Sequence, residues 1–285
     1  MKSNNPVFAR SEEFNRAGTN AYGNQTYPGG GIIGGGSDPS SWGTGTPTDQ
    51  RSAGRMSIDS VVQATGISVL LVMVTAAITW WFIGDVVANG VVDEGNYQQA
   101  IALMTVGSLT AFGLSLVNSF KRVISPALVI AFAAVEGVAL GALSKFFDAQ
   151  FGSGVVTGAV IGTFAAFAGT LAAYKFFDIK VGQKFRVFVV AAMFGMVGLG
   201  LLSFVLSLFG VTTGLFGFGT LGLITAVVGL VLGVFMLILD FDFVEQGVAA
   251  GLPERESWRA AFGLTVSLVW IYTNLLRILA IFQQD

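Results

Sequence analysis

The sequence contains neither cysteine nor histidine. The first absence excludes disulfides and thiolate nucleophiles, and the two together exclude Cys/His zinc sites and imidazole acid–base chemistry. Charge is scarce as well: 11% of the 285 residues are Asp, Glu, Lys or Arg, and the net charge of −2 leaves no basic field for nucleic acid. Any proton or cation chemistry therefore falls to carboxylates. What the chain has in abundance is apolar surface, 53% hydrophobic residues and a mean hydropathy of +0.73, which places it in the membrane class.

Residues 1–57 are different material. NQTYPGGGIIGGGSDPSSWGTGTPTDQ is dominated by Gly, Ser, Thr, Pro and Asn and carries too few large apolar residues to order itself, so a disordered cytoplasmic tail is expected. With no apolar run before Val61, it does not read as a signal peptide. GGGIIGGG lacks the preceding strand and the Lys-Ser/Thr pair of a phosphate loop, which leaves a flexible linker.

From Ser57 onward long apolar runs alternate with short polar breaks. Helices are expected over about 58–83, 99–119, 125–146, 154–174, 186–209, 220–246 and 257–282, an all-α membrane bundle of seven spans over 58–285. Ser57 is a suitable N-cap, and Gly84, Pro126 and the GVTTGLFGFG stretch mark later breaks. Lys and Arg collect in the tail, at Lys121 and Arg122, from Lys175 to Arg186, and at Arg255 and Arg259, whereas the alternate connections carry only Lys145. The positive-inside rule then gives a cytoplasmic N-terminus and an outside C-terminus. A six-span arrangement with a re-entrant last segment is the alternative.

The run from Leu221 to Leu239 is uncharged and ends in Asp240. Steps of 3.6 residues back from Asp240 land on Gly233, Gly229 and Gly222, so the carboxylate shares the small-residue face that packs inward. Gly247 is the expected left-handed terminator, about two turns beyond. Gly154, Gly158, Gly162, Ala166 and Thr170 form a four-residue stripe on the fourth span that would admit a neighbouring backbone. On the first span, Thr65, Ser68, Thr75 and Thr79 form a polar stripe that reads as interhelical glue.

Intramembrane ionisable groups are functional candidates by default. Besides Asp240 there is Glu136, about eleven residues from each end of the third span, where a charge costs ~2.5–3.5 kcal/mol on insertion scales. Ser267, Asn274 and Arg277 share one broad face of the last span; Arg277 either belongs to this group or snorkels to the outer interface. Asp242 points away from Asp240, and Glu245, Glu254 and Glu256 read as solvated charges of the cytoplasmic turn.

The segments LDFDFVEQG, GLPERESWRAAFGL and NLLRIL, within the seven-span pattern, resemble the Bax inhibitor-1 (transmembrane BAX inhibitor motif) superfamily, in particular its bacterial YccA/YetJ-like branch. The opening Asn5-Pro6-Val7-Phe8 looks like a signature of that branch. The resemblance implies that Asp240 is one of two aspartates that share protons and close a cytoplasmic-side calcium pathway. Where the second aspartate is expected, ten residues before Arg277, this chain has Ser267.

The leading expectation is a pH-sensitive cation leak, with calcium as the ion the resemblance implies and Asp240 and Glu136 as its acidic ligands. The alternative is a non-conducting interaction protein that modulates membrane-protein quality control or stress responses. Intramembrane hydrolysis has no Asp pair, Ser/His set or HExxH motif to perform it, so no enzyme and no cofactor are expected. The expected partners are the bilayer, calcium or protons, and other membrane proteins. The expected location is a bacterial plasma membrane.

Overall fold

The computed structural model describes residues 54–88, 90–177 and 179–284. Among these residues seven helices are long and apolar enough to cross a membrane: α1 (Ile58–Ile83), α2 (Glu94–Phe120), α3 (Pro126–Phe151), α4 (Ser153–Phe176), α5 (Gln183–Leu208), α6 (Thr220–Ala249) and α7 (Glu256–Phe282). The seven-span, all-helical reading holds, and the seventh segment is one continuous helix of 27 residues, which removes the re-entrant alternative. One small sheet was not foreseen. Val87–Ala88 (β1) and Val91–Val92 (β2) pair antiparallel in the connection between α1 and α2.

Helix ends follow their local chemistry. The Ser57 hydroxyl accepts from the Ser60 amide at 3.1 Å while the Ser60 hydroxyl accepts from the Ser57 amide at 3.0 Å, a reciprocal cap on α1. The second helix begins five residues before the expected start, because the Asp93 carboxylate accepts from the Asn96 amide at 3.0 Å and Glu94 accepts from Gln98 at 2.7 Å. Between α3 and α4 the connection shrinks to Gly152, whose φ of 91° turns the chain between two nearly contiguous helices. Lys145 is consequently not in a connection. It lies within α3, 6% exposed, its amine 3.2 Å from Asp85 and 4.6 Å from the centre of the Trp80 ring.

α3 and α7 form the centre: half of the spanning window of each is buried, against 11% for α5. Around them, α1 packs on both, α2 on α3, α4 and α6 on α7, and α5 chiefly on α6. The closest backbone approach is between α1 and α3. A Cβ on Gly137 would collide with Thr75 and the Val72 carbonyl, and one on Gly141 would sit 2.8 Å from Ala76 Cα. The stripe on α4 works differently from expectation, because Gly158 and Gly162 receive the side-chain ends of Leu279 and Leu275 of α7 instead of a backbone. On α1, Ser68 and Thr75 bond back to the carbonyls of Ala64 and Leu71, each at 2.9 Å, so their hydroxyls are satisfied within their own helix.

The expected disordered tail lies outside the described residues up to residue 53. The last four residues of that stretch belong to the bundle. Arg55 bridges to Pro253, the Met56 amide donates to the Leu252 carbonyl at 2.7 Å, and the Glu254 amide donates to the Gly54 carbonyl at 2.8 Å. Met56 is 3% exposed and packs on Gly247.

Candidate functional site: the α6–α7 seam

α6 and α7 run antiparallel, and their small residues set the register. Gly263 faces Asp240, Gly233 faces Trp270 and Ile271, and Gly229 faces Asn274. A Cβ at Gly229 would lie 2.8 Å from Asn274 Cγ, and one at Gly233 would lie 2.7 Å from Ile271 Cγ1, so only glycine admits the present spacing. The inward small-residue face is therefore confirmed at Gly229 and Gly233. Gly222, one turn from the start of α6, abuts the backbone of Gly217 in the preceding loop instead.

Polar groups run along this seam at four levels. At the inner level the Ser267 hydroxyl donates to Asp240 Oδ2 at 2.6 Å, with Ser267 only 1% exposed. Next, the Trp270 indole N–H donates to the Gly229 carbonyl at 2.8 Å. Asn274 then donates to the Trp270 carbonyl at 2.7 Å while its side-chain oxygen lies against Gly229. At the outer level, Arg277 donates to the Gly222 carbonyl at 3.1 Å, to Thr225 Oγ1 at 3.2 Å and to the Leu215 carbonyl at 3.3 Å.

Asp240 and Ser267 thus come together, and helix lengths explain why. α6 does not stop at Gly247; it continues to Ala249, and the left-handed turn falls on Gly251, with φ of 64°. Gly247 is kept small for another reason, since a Cβ there would meet Met56 Sδ at 2.8 Å. Asp240 lies nine residues inside that end, ~14 Å, and Ser267 eleven residues inside the start of α7, ~16 Å, so antiparallel packing sets them level.

Arg277 is not brought to Asp240. Its guanidinium binds the loop between α5 and α6 and stacks 5.2 Å from the centre of the Phe216 ring, while Thr225 Oγ1 also donates to the Leu215 carbonyl. Arg277 shares the α6-facing side of α7 with Ser267 and Asn274, as expected, but its guanidinium fastens the loop between α5 and α6 onto α7 instead of reaching Asp240.

Glu136 stands on the other side of α7. Phe132, one turn before it, meets Phe262 edge to face, and Ser144, two turns after it, shares a 2.6 Å hydrogen bond with Tyr272. These two contacts set α3 and α7 parallel and bring Glu136 level with about residues 264–266, the depth of Ser267. Glu136 and Asp240 therefore lie at about one height, on two helices that pack on different sides of α7.

Asp242 points away from Asp240, as the two-residue offset requires, yet it is no solvated charge. It is 7% exposed, and its Oδ2 accepts from Arg186 of α5 at 2.7 Å and from Gln246 at 2.8 Å. In the sequence Arg186 reads only as a topology marker, which misses the pair; the signal for it was an acid seven residues inside the end of one span and a base in the first turn of another. Glu245, expected in the solvated turn, accepts from the Tyr174 hydroxyl at 2.6 Å. Trp270 was likewise missed, because an indole donor to a glycine carbonyl leaves no spacing pattern.

No group of three or more acidic side chains placed to hold a metal ion is found among the described residues. A cavity of about 480 Å³ opens elsewhere, between α1, α3, α4 and α7, and none of Asp240, Glu136, Ser267, Asn274 or Arg277 lines it. The family model described as Bax inhibitor 1 like matches residues 5–284, from the Asn-Pro-Val-Phe opening to the end of the last helix. No curated protein matches the chain.

Proposed function

Because this chain belongs to the Bax inhibitor 1 like family, a multi-pass membrane protein by its seven apolar helices, we propose that it is a pH-sensitive cation leak controlled by protonation of Asp240. Calcium is the ion that the sequence resemblance implies. The observation that carries the reading is the carboxylate of Asp240 at mid-bundle, hydrogen-bonded to a neutral serine and level with a second carboxylate across α7. A charged side chain held at that depth without a cationic partner is kept at a cost that structure alone does not recover.

The chemistry suits passage better than storage. Calcium takes six to eight oxygen ligands, and Asp240, Glu136, Ser267 and Asn274 offer oxygens spread along two faces of α7. An ionised Asp240 attracts a cation leaving water for this depth, and a protonated one does not. In the ionised state the Ser267 hydroxyl also ties α7 to α6, so proton uptake alters both the field and the helix contact. On this reading Ser267 takes the place of a proton-sharing acid, leaving one titrating group at the seam. Neither a catalytic step nor a cofactor is assigned, and the location proposed is the cell membrane.

Ion flux into liposomes containing the purified protein, measured from acid to neutral pH, tests this. The wild type is expected to show flux with a single shallow pH dependence, Asp240→Asn to lose that dependence, and Ser267→Asp to respond as a coupled pair over a wider pH range. An unchanged pH profile in Asp240→Asn would sink the carboxylate gate. Absence of flux in the wild type would favour the non-conducting interaction protein, for which the stem at Met56 fixed against the α6–α7 loop offers a physical connection.

A further inference from the structure

The cavity between α1 and α4 is distinct from the seam. Its walls include Met73 and Ala77 of α1 and Val160 and Phe164 of α4, and its floor is formed by α3 and α7. Met73, Val160 and Phe164 are 48%, 38% and 44% exposed, so the walls open sideways onto the surface that the bilayer covers. At about 480 Å³ it falls in the size range of small-molecule sites. A space so apolar does not hold water well, since ordered water needs several polar partners. Two hydroxyls of its lining are satisfied already: Ser144 and Tyr272 bond to each other at 2.6 Å.

The cleft is polarised along the membrane normal. Its deep end, at Val69, Phe164 and Thr265, lies near the middle of α1, α4 and α7, and its other end reaches Trp80 and Asp148, at the outer ends of α1 and α3. Tryptophan favours the headgroup level. At that end the Oδ1 atom of Asp148 is buried with no hydrogen-bond partner among the described residues, an arrangement that invites a donor from outside the protein. The neighbouring cation, Lys145, is engaged by Asp85 and the Trp80 ring.

We propose that the cleft between α1 and α4 holds one acyl chain of an outer-side phospholipid whose amine headgroup is bound by Asp148. The chain lies against Met73, Ala77, Val160 and Phe164, filling space that water occupies poorly, and the ammonium supplies the donor that Asp148 Oδ1 lacks. The site is independent of cation conduction, and loss of flux would not bear on it.

The test uses the full-length protein in vesicles of mixed phosphatidylethanolamine and phosphatidylglycerol, doped with either lipid carrying a photoactivatable acyl chain, with labelled residues located by mass spectrometry. Label is expected on the cleft walls, with phosphatidylethanolamine favoured. Ala77→Trp, which fills the cleft with the equivalent of two or more methylenes, is expected to cut cleft labelling about tenfold, while Leu202→Trp on the exposed face of α5 leaves it unchanged. Asp148→Asn is expected to keep the labelling and abolish the headgroup preference. Melting and gel-filtration profiles matching wild type show that each variant is folded. Labelling spread evenly over all lipid-facing helices, or equal labelling in Ala77→Trp and Leu202→Trp, would overturn the chain site. Equal capture of the two lipids by the wild type would overturn the assignment to an amine headgroup.

Discussion

Replacing Gly229 by alanine puts the register of the α6–α7 seam to a quantitative test. The added methyl would lie 2.8 Å from Asn274 Cγ and 3.1 Å from its Nδ2, and closer still to Oδ1, in a place where Asn274 is 6% exposed and has little room to turn. Over-packing of this kind costs about 1–3 kcal/mol. Any outward shift of α6 also lengthens the Trp270 to Gly229 carbonyl bond, now 2.8 Å, at about 0.6 kcal/mol for an average hydrogen bond between membrane helices. The sum, roughly 1.6–3.6 kcal/mol, corresponds to a melting point lower by about 3–14 °C, taking the 2–4 °C per kcal/mol found for soluble domains of this size. Asn274→Ala removes the group that is struck, so the double variant Gly229→Ala/Asn274→Ala should be more stable than the sum of the two single changes indicates. The coupling is expected at about 1–2 kcal/mol. Thermal unfolding of the four proteins in one detergent measures the cycle. Strict additivity, or a Gly229→Ala protein as stable as wild type, would refute close packing at this level and with it the depth match of Asp240 and Ser267.

Three further outcomes follow from other parts of the bundle. Glu136→Ala should change flux or its pH response more than Leu202→Ala, whose side chain is 54% exposed on α5; equal effects in liposomes would return Glu136 to a packing role. Arg277→Ala should free the loop carrying Leu215 and Phe216, read as faster proteolysis or hydrogen exchange at residues 210–219 with the inner half of the seam unchanged, and Arg277→Lys should rescue this only in part because lysine lacks the planar fork. A chain beginning at residue 54 should keep wild-type stability, whereas one beginning at 58 loses buried Met56 and about 1.5–3 kcal/mol, seen as a lower melting temperature.

The spans were legible because composition and length suffice to identify membrane helices, and the inward placement of Asp240 followed from 3.6-residue steps to Gly233 and Gly229. Pairing Asp240 with Ser267 needed only the helix lengths and an antiparallel turn. The misplacements have a common cause, which is that a glycine in a sequence does not declare what it serves. Gly247 resembled a helix stop but makes room for Met56, and Gly251 performs the stop. The stripe on α4 suggested a close backbone, while the true close approach uses the less conspicuous pair Gly137 and Gly141. Long side chains obscured the rest: Arg277 and Arg186 each reach a partner on another helix or loop, 62 or 56 residues away in sequence, which no local pattern encodes.

The short pairing of Gly54, Arg55 and Met56 with residues 252–254 also determines how the molecule can be pulled. Tension applied to the chain ahead of residue 54 arrives first at the turn between α6 and α7, and only afterwards at α1. That turn joins the helix carrying Asp240 to the helix carrying Ser267, and two backbone hydrogen bonds transmit the load. Residues 54–56 are thus attached as a drawstring on the hairpin whose internal spacing sets the distance from carboxylate to hydroxyl.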